Sequence, residues 1–138
     1  MAYKKIFIDS DILLDLLLAR KPFERFSEIL LQEGKVRSLN LCTSTLILAN
    51  VYYLVAKDFN KTVARQQLKI LSGLLKILPF EPDDINMALN SEHVDFEDAV
   101  QFYIANRHGC DLIISRNIKH YKKFELPVLT AEQFLDKL

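Results

Sequence analysis

An α/β fold built around a mainly parallel sheet is what this sequence predicts, and three observations carry the prediction. Short β-branched or apolar runs recur along the chain without the strict alternation of a half-exposed strand, Ile6-Phe7-Ile8 and Leu112-Ile113-Ile114 being the clearest. Longer stretches with apolar residues at three- and four-residue spacing separate them. Polar residues follow the runs abruptly, as in Asp9-Ser10-Asp11 and Ser115-Arg116-Asn117. Strands that alternate with helices require crossover connections, so the pattern implies βαβ units and a sheet of four to five strands covered on both faces.

Taken in order, the first strand is Ile6-Phe7-Ile8, and residues 11–19 form a short helix rich in leucine. Arg20-Lys21-Pro22 interrupts it, and Pro22 suits the first turn of a second helix. That helix runs to about residue 33 on Phe23, Phe26, Ile29 and Leu30, with Gly34 as its stop. Residues 39–43 form the second strand, and Ser44 or Thr45 caps a helix over 46–57. The apolar residues of that helix nearly encircle it, which predicts a well-covered position. Residues 60–75 continue as helix, with Val63, Leu68, Leu71 and Leu75 facing the core. Lys76-Ile77-Leu78-Pro79 is a short third strand, and Pro82-Asp83-Asp84 opens a helix through Leu89. A further helix begins at His93-Val94-Asp95 and stops at Gly109. Residues 111–115 form the fourth strand, and a basic segment leads to the fifth, Pro127-Val128-Leu129. Thr130 caps the last helix, with Glu132 or Gln133 at the capping-box position. No linker, repeat or low-complexity segment interrupts the pattern, so residues 1–138 read as one domain.

The balance of 18 Lys and Arg against 18 Asp and Glu excludes a global field that would draw the chain to nucleic acid. Such contact has to come from a local patch or a bound cation. The two cysteines, Cys42 and Cys110, fit no metal or disulfide spacing and suit a reducing compartment. The start, Met1-Ala2-Tyr3-Lys4-Lys5, enters a strand without a signal-peptide apolar core, and no apolar run reaches the roughly 18 residues that span a bilayer. A cytoplasmic protein without membrane contact is the expectation.

The chemistry is expected from carboxylates. Ligands of open parallel sheets sit outside the carboxyl ends of the strands, which is where Asp9 falls. Asp95 and Asp98 share one face of a helix's first turn. Each has a plainer role: Asp9 or Ser10 can cap the next helix, and Asp95 can cap its own. Glu97 is read as pointing to another side and solvated. Asn117, after the fourth strand, lies on the same sheet edge as Asp9, and Asn50 occupies the middle of the long helix. Carboxylates converging there would raise one another's pKa unless a cation lay between them. Oxygen donors with no His or Cys nearby select Mg²⁺ or Mn²⁺, which points to metal-assisted hydrolysis of phosphate esters. Arg107, Arg116, Lys119, Lys122 and Lys123 make the later chain locally basic; Arg116 and Lys119 could engage RNA phosphates, or the run is a solvated face. Tyr52, Tyr53 and Tyr103 could stack on bases or pack in the core.

Read together, Phe7-Ile8-Asp9-Ser10-Asp11-Ile12-Leu13-Leu14-Asp15, Thr43-Ser44-Thr45-Leu46-Ile47-Leu48-Ala49-Asn50, Asp95-Phe96-Glu97-Asp98-Ala99, Ile113-Ile114-Ser115-Arg116-Asn117 and Pro127-Val128-Leu129-Thr130 resemble, in that order, the PIN domain, in the bacterial branch allied to VapC-type toxins. The resemblance covers almost the whole chain. It implies a three-layer α/β/α sandwich and a Mg²⁺- or Mn²⁺-dependent endoribonuclease, often paired with an antitoxin. It further implies metal binding by Asp9 and Asp98 with Asp95 as helper, catalysis by these with Asn117, and substrate contacts from Ser10, Asn50, Ser115, Arg116 and Lys119. Three positions depart from the family pattern. Asn50 stands where many members carry glutamate, Asn117 where many carry aspartate, and His120-Tyr121 where an Asp-Phe pair is common. The departures remove up to three negative charges and weaken the hold on an ion. The leucines of the two N-terminal helices suggest a homodimer face or a groove for an antitoxin helix. Two other readings start from the same residues: a degenerate PIN-like module that binds RNA or protein without cutting, and a haloacid-dehalogenase-type phosphatase using Asp9 of Asp9-Ser10-Asp11 as nucleophile.

Overall fold

The computed structural model describes residues 3–93 and 95–138. Five strands, β1 (Ile6–Ile8), β2 (Leu41–Ser44), β3 (Lys76–Leu78), β4 (Leu112–Ile114) and β5 (Val128–Leu129), form one sheet. Its order is β3-β2-β1-β4-β5, and every pairing is parallel. The helices are α1 (Ser10–Leu17), α2 (Phe23–Val36), α3 (Thr45–Asp58), α4 (Lys61–Leu74), α5 (Pro82–Leu89), α6 (Phe96–Arg107) and α7 (Ala131–Asp136), with a 3-10 turn at Ile118–Tyr121. Helices cover both faces, so the α/β/α expectation holds, with an all-parallel sheet of five strands. Such a sheet must be apolar throughout, and Ile6, Phe7, Ile8, Leu112, Ile113 and Ile114 are all buried.

The strand order determines where a ligand can sit. From β1 the chain steps outward to β2 and β3, then returns across the sheet to β4 on the other side of β1. The connections diverge between β1 and β4, which opens a crevice at their carboxyl ends. Phe7 pairs with Ile113 and Ile8 with Ile114, so Asp9 and Ser115 emerge side by side at that crevice.

Several boundaries differ from expectation for identifiable reasons. Gly34 does not stop α2, which continues to Val36; the left-handed residue beyond that helix is Ser38, with φ of 53°. Gly34 is instead a point of close approach, since a Cβ there would collide with the side chain of Leu41 on β2. Gly109, with φ of 73°, does end α6. That helix starts at Phe96 rather than His93, with Asp95 as its cap; Val94, Met1 and Ala2 lie outside the described residues. Ser44, not Thr45, caps α3, and Gln133, not Glu132, completes the box with Thr130. The long helix α3 is not well covered: Ile47, Val51 and Val55 are buried, whereas Tyr53 and Leu54 are exposed. As a flanking layer it packs one side inward and leaves the other uncovered.

Gly34 and Gly73 make a controlled comparison. Gly34→Ala gains helix propensity but forces buried Leu41 out of its rotamer, and should cost about 1 kcal/mol net in urea unfolding. Gly73, in α4, has open space at its Cβ position, so Gly73→Ala should stabilise by about 0.5–1 kcal/mol. Equal signs for the two would count against the close α2–β2 approach.

Candidate functional site

At the carboxyl end of β1, Asp9 is 4% exposed and serves two purposes. Its Oδ1 accepts from the Ser10 amide at 2.8 Å as α1 begins. Its Oδ2 accepts from the Ser115 hydroxyl at 2.8 Å and from the Tyr121 hydroxyl at 3.0 Å. Burial pushes the Asp9 carboxyl up, while these donors pull it back. Asp11 stands one turn-step on; its Oδ2 accepts from the Arg116 amide at 3.0 Å, whereas its Oδ1 is buried without a partner. Burial, then the charge of Asp9, raises Asp11 to about 7.

The opposite wall comes from α6. Asp95 caps the helix through the Asp98 amide at 2.9 Å, so its plainer role is real. Asp98 is turned into the cleft, with Oδ2 at 2.7 Å from Nδ1 of His120. Burial, then Asp9, then Asp95, raises Asp98 to about 6. One oxygen each from Asp95 and Asp98 and one His120 nitrogen all lie within 4.8 Å of one another. Carboxylates from the two walls therefore feel each other across a single cleft of about 340 Å³, lined by Asp9, Ser10, Asn50, Glu97, Asp98 and Gln101 and by apolar side chains including Leu46, Phe80 and Phe96. An adjoining hollow of about 290 Å³ shares Ser10, Asn50 and Glu97 and adds Tyr53 and Leu54. Gln101, whose Oε1 accepts from the Ser44 hydroxyl at 3.0 Å, ties α6 to the start of α3.

Pairing separates structural acids from these. Asp15, fully buried, is held bidentately by Arg116 at 2.7 and 2.9 Å. Asp84 is held in the same way by Arg107 at 2.7 and 3.0 Å. Among the described residues, no Lys or Arg forms an ion pair with Asp9, Asp11 or Asp98. Crowded carboxylates without a protein cation, one with an orphaned oxygen, suit an external cation. The donor set of carboxylate oxygens beside one imidazole fits a divalent ion.

Several expected roles change. Arg116 does not stand free at the cleft: its guanidinium pairs with Asp15 and lies 4.1 Å over the Phe23 ring. Ser115 is fully buried and cannot touch a substrate; it positions Asp9 and also accepts from the Asn117 amide at 3.0 Å. Asn117 and Lys119 are exposed and lie outside the cleft's lining. Glu97, read as solvated elsewhere, lines it. A histidine, read as absent from the acids' surroundings, is there. Asp11 and Tyr121 have no site role in the sequence reading, and His120 enters it only as a departure from the family pattern. Asp11 offered a visible signal, a third acid in the Asp9-Ser10-Asp11 run, but the reach of Tyr121 and His120 across to β1 and α6 depends on the turn that carries them.

Three comparisons with known proteins bear on the site. Residues 5–119 match the family model of the PIN domain. Ribonuclease VapC1 of Aquifex aeolicus (strain VF5) is 28% identical over 142 aligned positions, covering 99% of this chain and 97% of that protein. Among solved structures, VapBC2 from Rickettsia felis, bound to a fragment of its promoter DNA, superposes with a TM-score of 0.67 at 16% identity, covering 91% of this chain and 97% of that one. The sarcin-ricin-loop-cleaving toxin VapC20 of Mycobacterium tuberculosis gives 0.67 at 15% identity, covering 87% and 95%.

The acids' crowding has a stability signature. Asp11 and Asp98 are raised from an ordinary 3.8 to about 7 and about 6, so folding favours their protonated forms. The stabilising contribution is complete below about pH 4 and is lost as pH rises through about 6 to 7. In chelator, the Tm should therefore fall by several degrees between pH 5 and pH 8, and Mn²⁺ should reverse most of that fall at pH 8. A melting temperature indifferent to both would mean that the carboxylates are not in conflict.

Proposed function

From the premise that this chain belongs to the PIN domain family, we propose that it is a divalent-metal-dependent endoribonuclease that hydrolyses RNA phosphodiesters, the toxin of a toxin–antitoxin pair. The observation that carries the reading is the cleft that Asp9 and Asp98 share, with no Lys or Arg among the described residues that line it. The likeness to a ribonuclease along nearly its full length supports it.

Asp9 and Asp98, which line the cleft, would hold Mg²⁺ or Mn²⁺ with Asp95 as helper beside Asp98. When bound, such an ion neutralises charge building on the phosphate and activates a water. The chain's own part is to keep the ligands in place: Ser115 and Tyr121 hold Asp9, and His120 holds Asp98. Ser10, Asn50 and Glu97 face the space a backbone phosphate and its attacking water would occupy. Phe96, exposed at the rim, offers a stacking face for a base, while exposed Lys119 could contact a phosphate beyond the cleft. Phosphoryl transfer to Asp9, the phosphatase reading, is set aside with the family membership.

The proposal extends to a cytoplasmic location, an antitoxin partner and a homodimer. Among the described residues, no helix is long and apolar enough to cross a membrane. Of the N-terminal leucines, Leu13, Leu14, Leu30 and Leu31 are buried and Leu16, Leu17 and Leu18 are partly exposed, so the last three are what those helices could offer a partner. Exposed apolar side chains also sit on α2, at Phe23 and Val36, and on α3 and α4 and just after α3, at Tyr53, Phe59, Ile70 and Leu74. Light scattering after size exclusion should give twice the monomer mass, and a clean monomer at high concentration would remove the dimer.

Cleavage of a structured RNA in Mn²⁺ tests the central claim. Asp9→Asn and Asp98→Asn should each lose activity by about a hundredfold or more while remaining folded by circular dichroism. Equal residual cutting by all three proteins would assign the activity to a contaminant. That outcome would favour a PIN-like domain that binds RNA or protein without cutting, a reading to which Asn50 and His120 in the cleft lend support.

A further inference from the structure

Tyr121 ends the 3-10 turn with its side chain 1% exposed, its ring tilted against Phe124 with centroids 5.7 Å apart. A phenol placed this deep needs a partner for its hydroxyl, and the partner here is Oδ2 of Asp9, at 3.0 Å. Hydroxyl-to-carboxylate bonds are among the stronger hydrogen bonds. A carboxylate offers about four acceptor positions, two on each oxygen. Ser115 and Tyr121 fill both on Oδ2, and the Ser10 amide fills one on Oδ1. One position on Oδ1 is left.

We propose that Tyr121 is a positioning residue of the acid cleft: its hydroxyl, together with that of Ser115, locks the Asp9 side chain in one orientation and leaves Oδ1 as the single oxygen able to take a divalent cation. This rests on the metal-dependent reading of the cleft and deepens it. The neighbourhood of Asp9 and Asp98 holds an amide, Asn50, and an imidazole, His120, where further carboxylates could have stood. With fewer carboxylates to attract an ion, the site depends more on each one being held ready. If Tyr121 served only to fill the core, Phe would fill the same volume, and the hydroxyl would have no consequence for the cation.

The test is a Mn²⁺ titration, read by the electron paramagnetic resonance signal of the free ion, on the wild type, Tyr121→Phe, Phe124→Leu and Asp9→Asn, with thermal melts of each. Phe124→Leu loosens the ring's packing without touching the hydroxyl. Tyr121→Phe should raise the Mn²⁺ Kd about tenfold or more, the scale of losing a group that orients a metal ligand. Its RNA cleavage should recover toward wild type at saturating Mn²⁺. Phe124→Leu should lower the Tm and leave the Kd within about twofold of wild type. The inference is overturned if Tyr121→Phe binds Mn²⁺ as the wild type does while Asp9→Asn does not bind, or if Phe124→Leu weakens binding as much as Tyr121→Phe. A wild type that takes up no Mn²⁺ brings down the metal-dependent reading itself, and this inference with it.

Discussion

A buried carboxylate at the carboxyl end of β1 is the constraint on which this structure turns. Asp9 is almost inaccessible to solvent, and desolvation alone would drive it to the neutral form. Three donors hold it instead: the first amide of α1, the hydroxyl that follows β4, and a phenol carried in by the 3-10 turn. Each of those elements is placed by the parallel register of β1 with β4. The polar network and the sheet topology are therefore one arrangement seen at two scales.

Around Asp9 the chain distributes its cations unevenly. Net charge is zero, so every acid could in principle find a basic partner. Asp15 and Asp84 do, through bidentate guanidinium pairs whose geometry recovers much of the cost of burial. Among the described residues Asp9, Asp11 and Asp98 have no such guanidinium or ammonium pair, and the basic group bonded to Asp98 is an imidazole. Arg116 makes the contrast sharpest: its backbone amide serves Asp11, but its side chain serves Asp15. A site kept free of side-chain guanidinium and ammonium groups keeps its negative potential for something that arrives from outside.

Much of this was readable along the chain. Ile6-Phe7-Ile8 and Leu112-Ile113-Ile114 are apolar without alternation because both sheet faces are covered, and that is a local property of the residues. Caps at Ser44, Asp95 and Thr130 were likewise visible, since a short polar side chain before an apolar period satisfies free amides nearby. Gly34 misled because a glycine after a helical run signals a stop or a close contact equally well. The encircling leucines and valines of α3 misled because periodicity reports how apolar a helix is, and the neighbours decide how much of it is covered.

The amino-acid sequence by itself determined the α/β class, the order of strands and helices along the chain, and the place of Asp9 at a strand's end and of Asp98 in a helix's first turn. Short-range preference and the position of a polar residue at a strand's end are sufficient for that. Only the tertiary structure decided which charges remain unpaired. Arg116 neutralises Asp15 across 101 residues, Ser115 reaches Asp9 across 106, and Tyr121 reaches it across 112. Coulombic and hydrogen-bond energies depend on separation in space, and separation in space is created by the crossovers of the sheet.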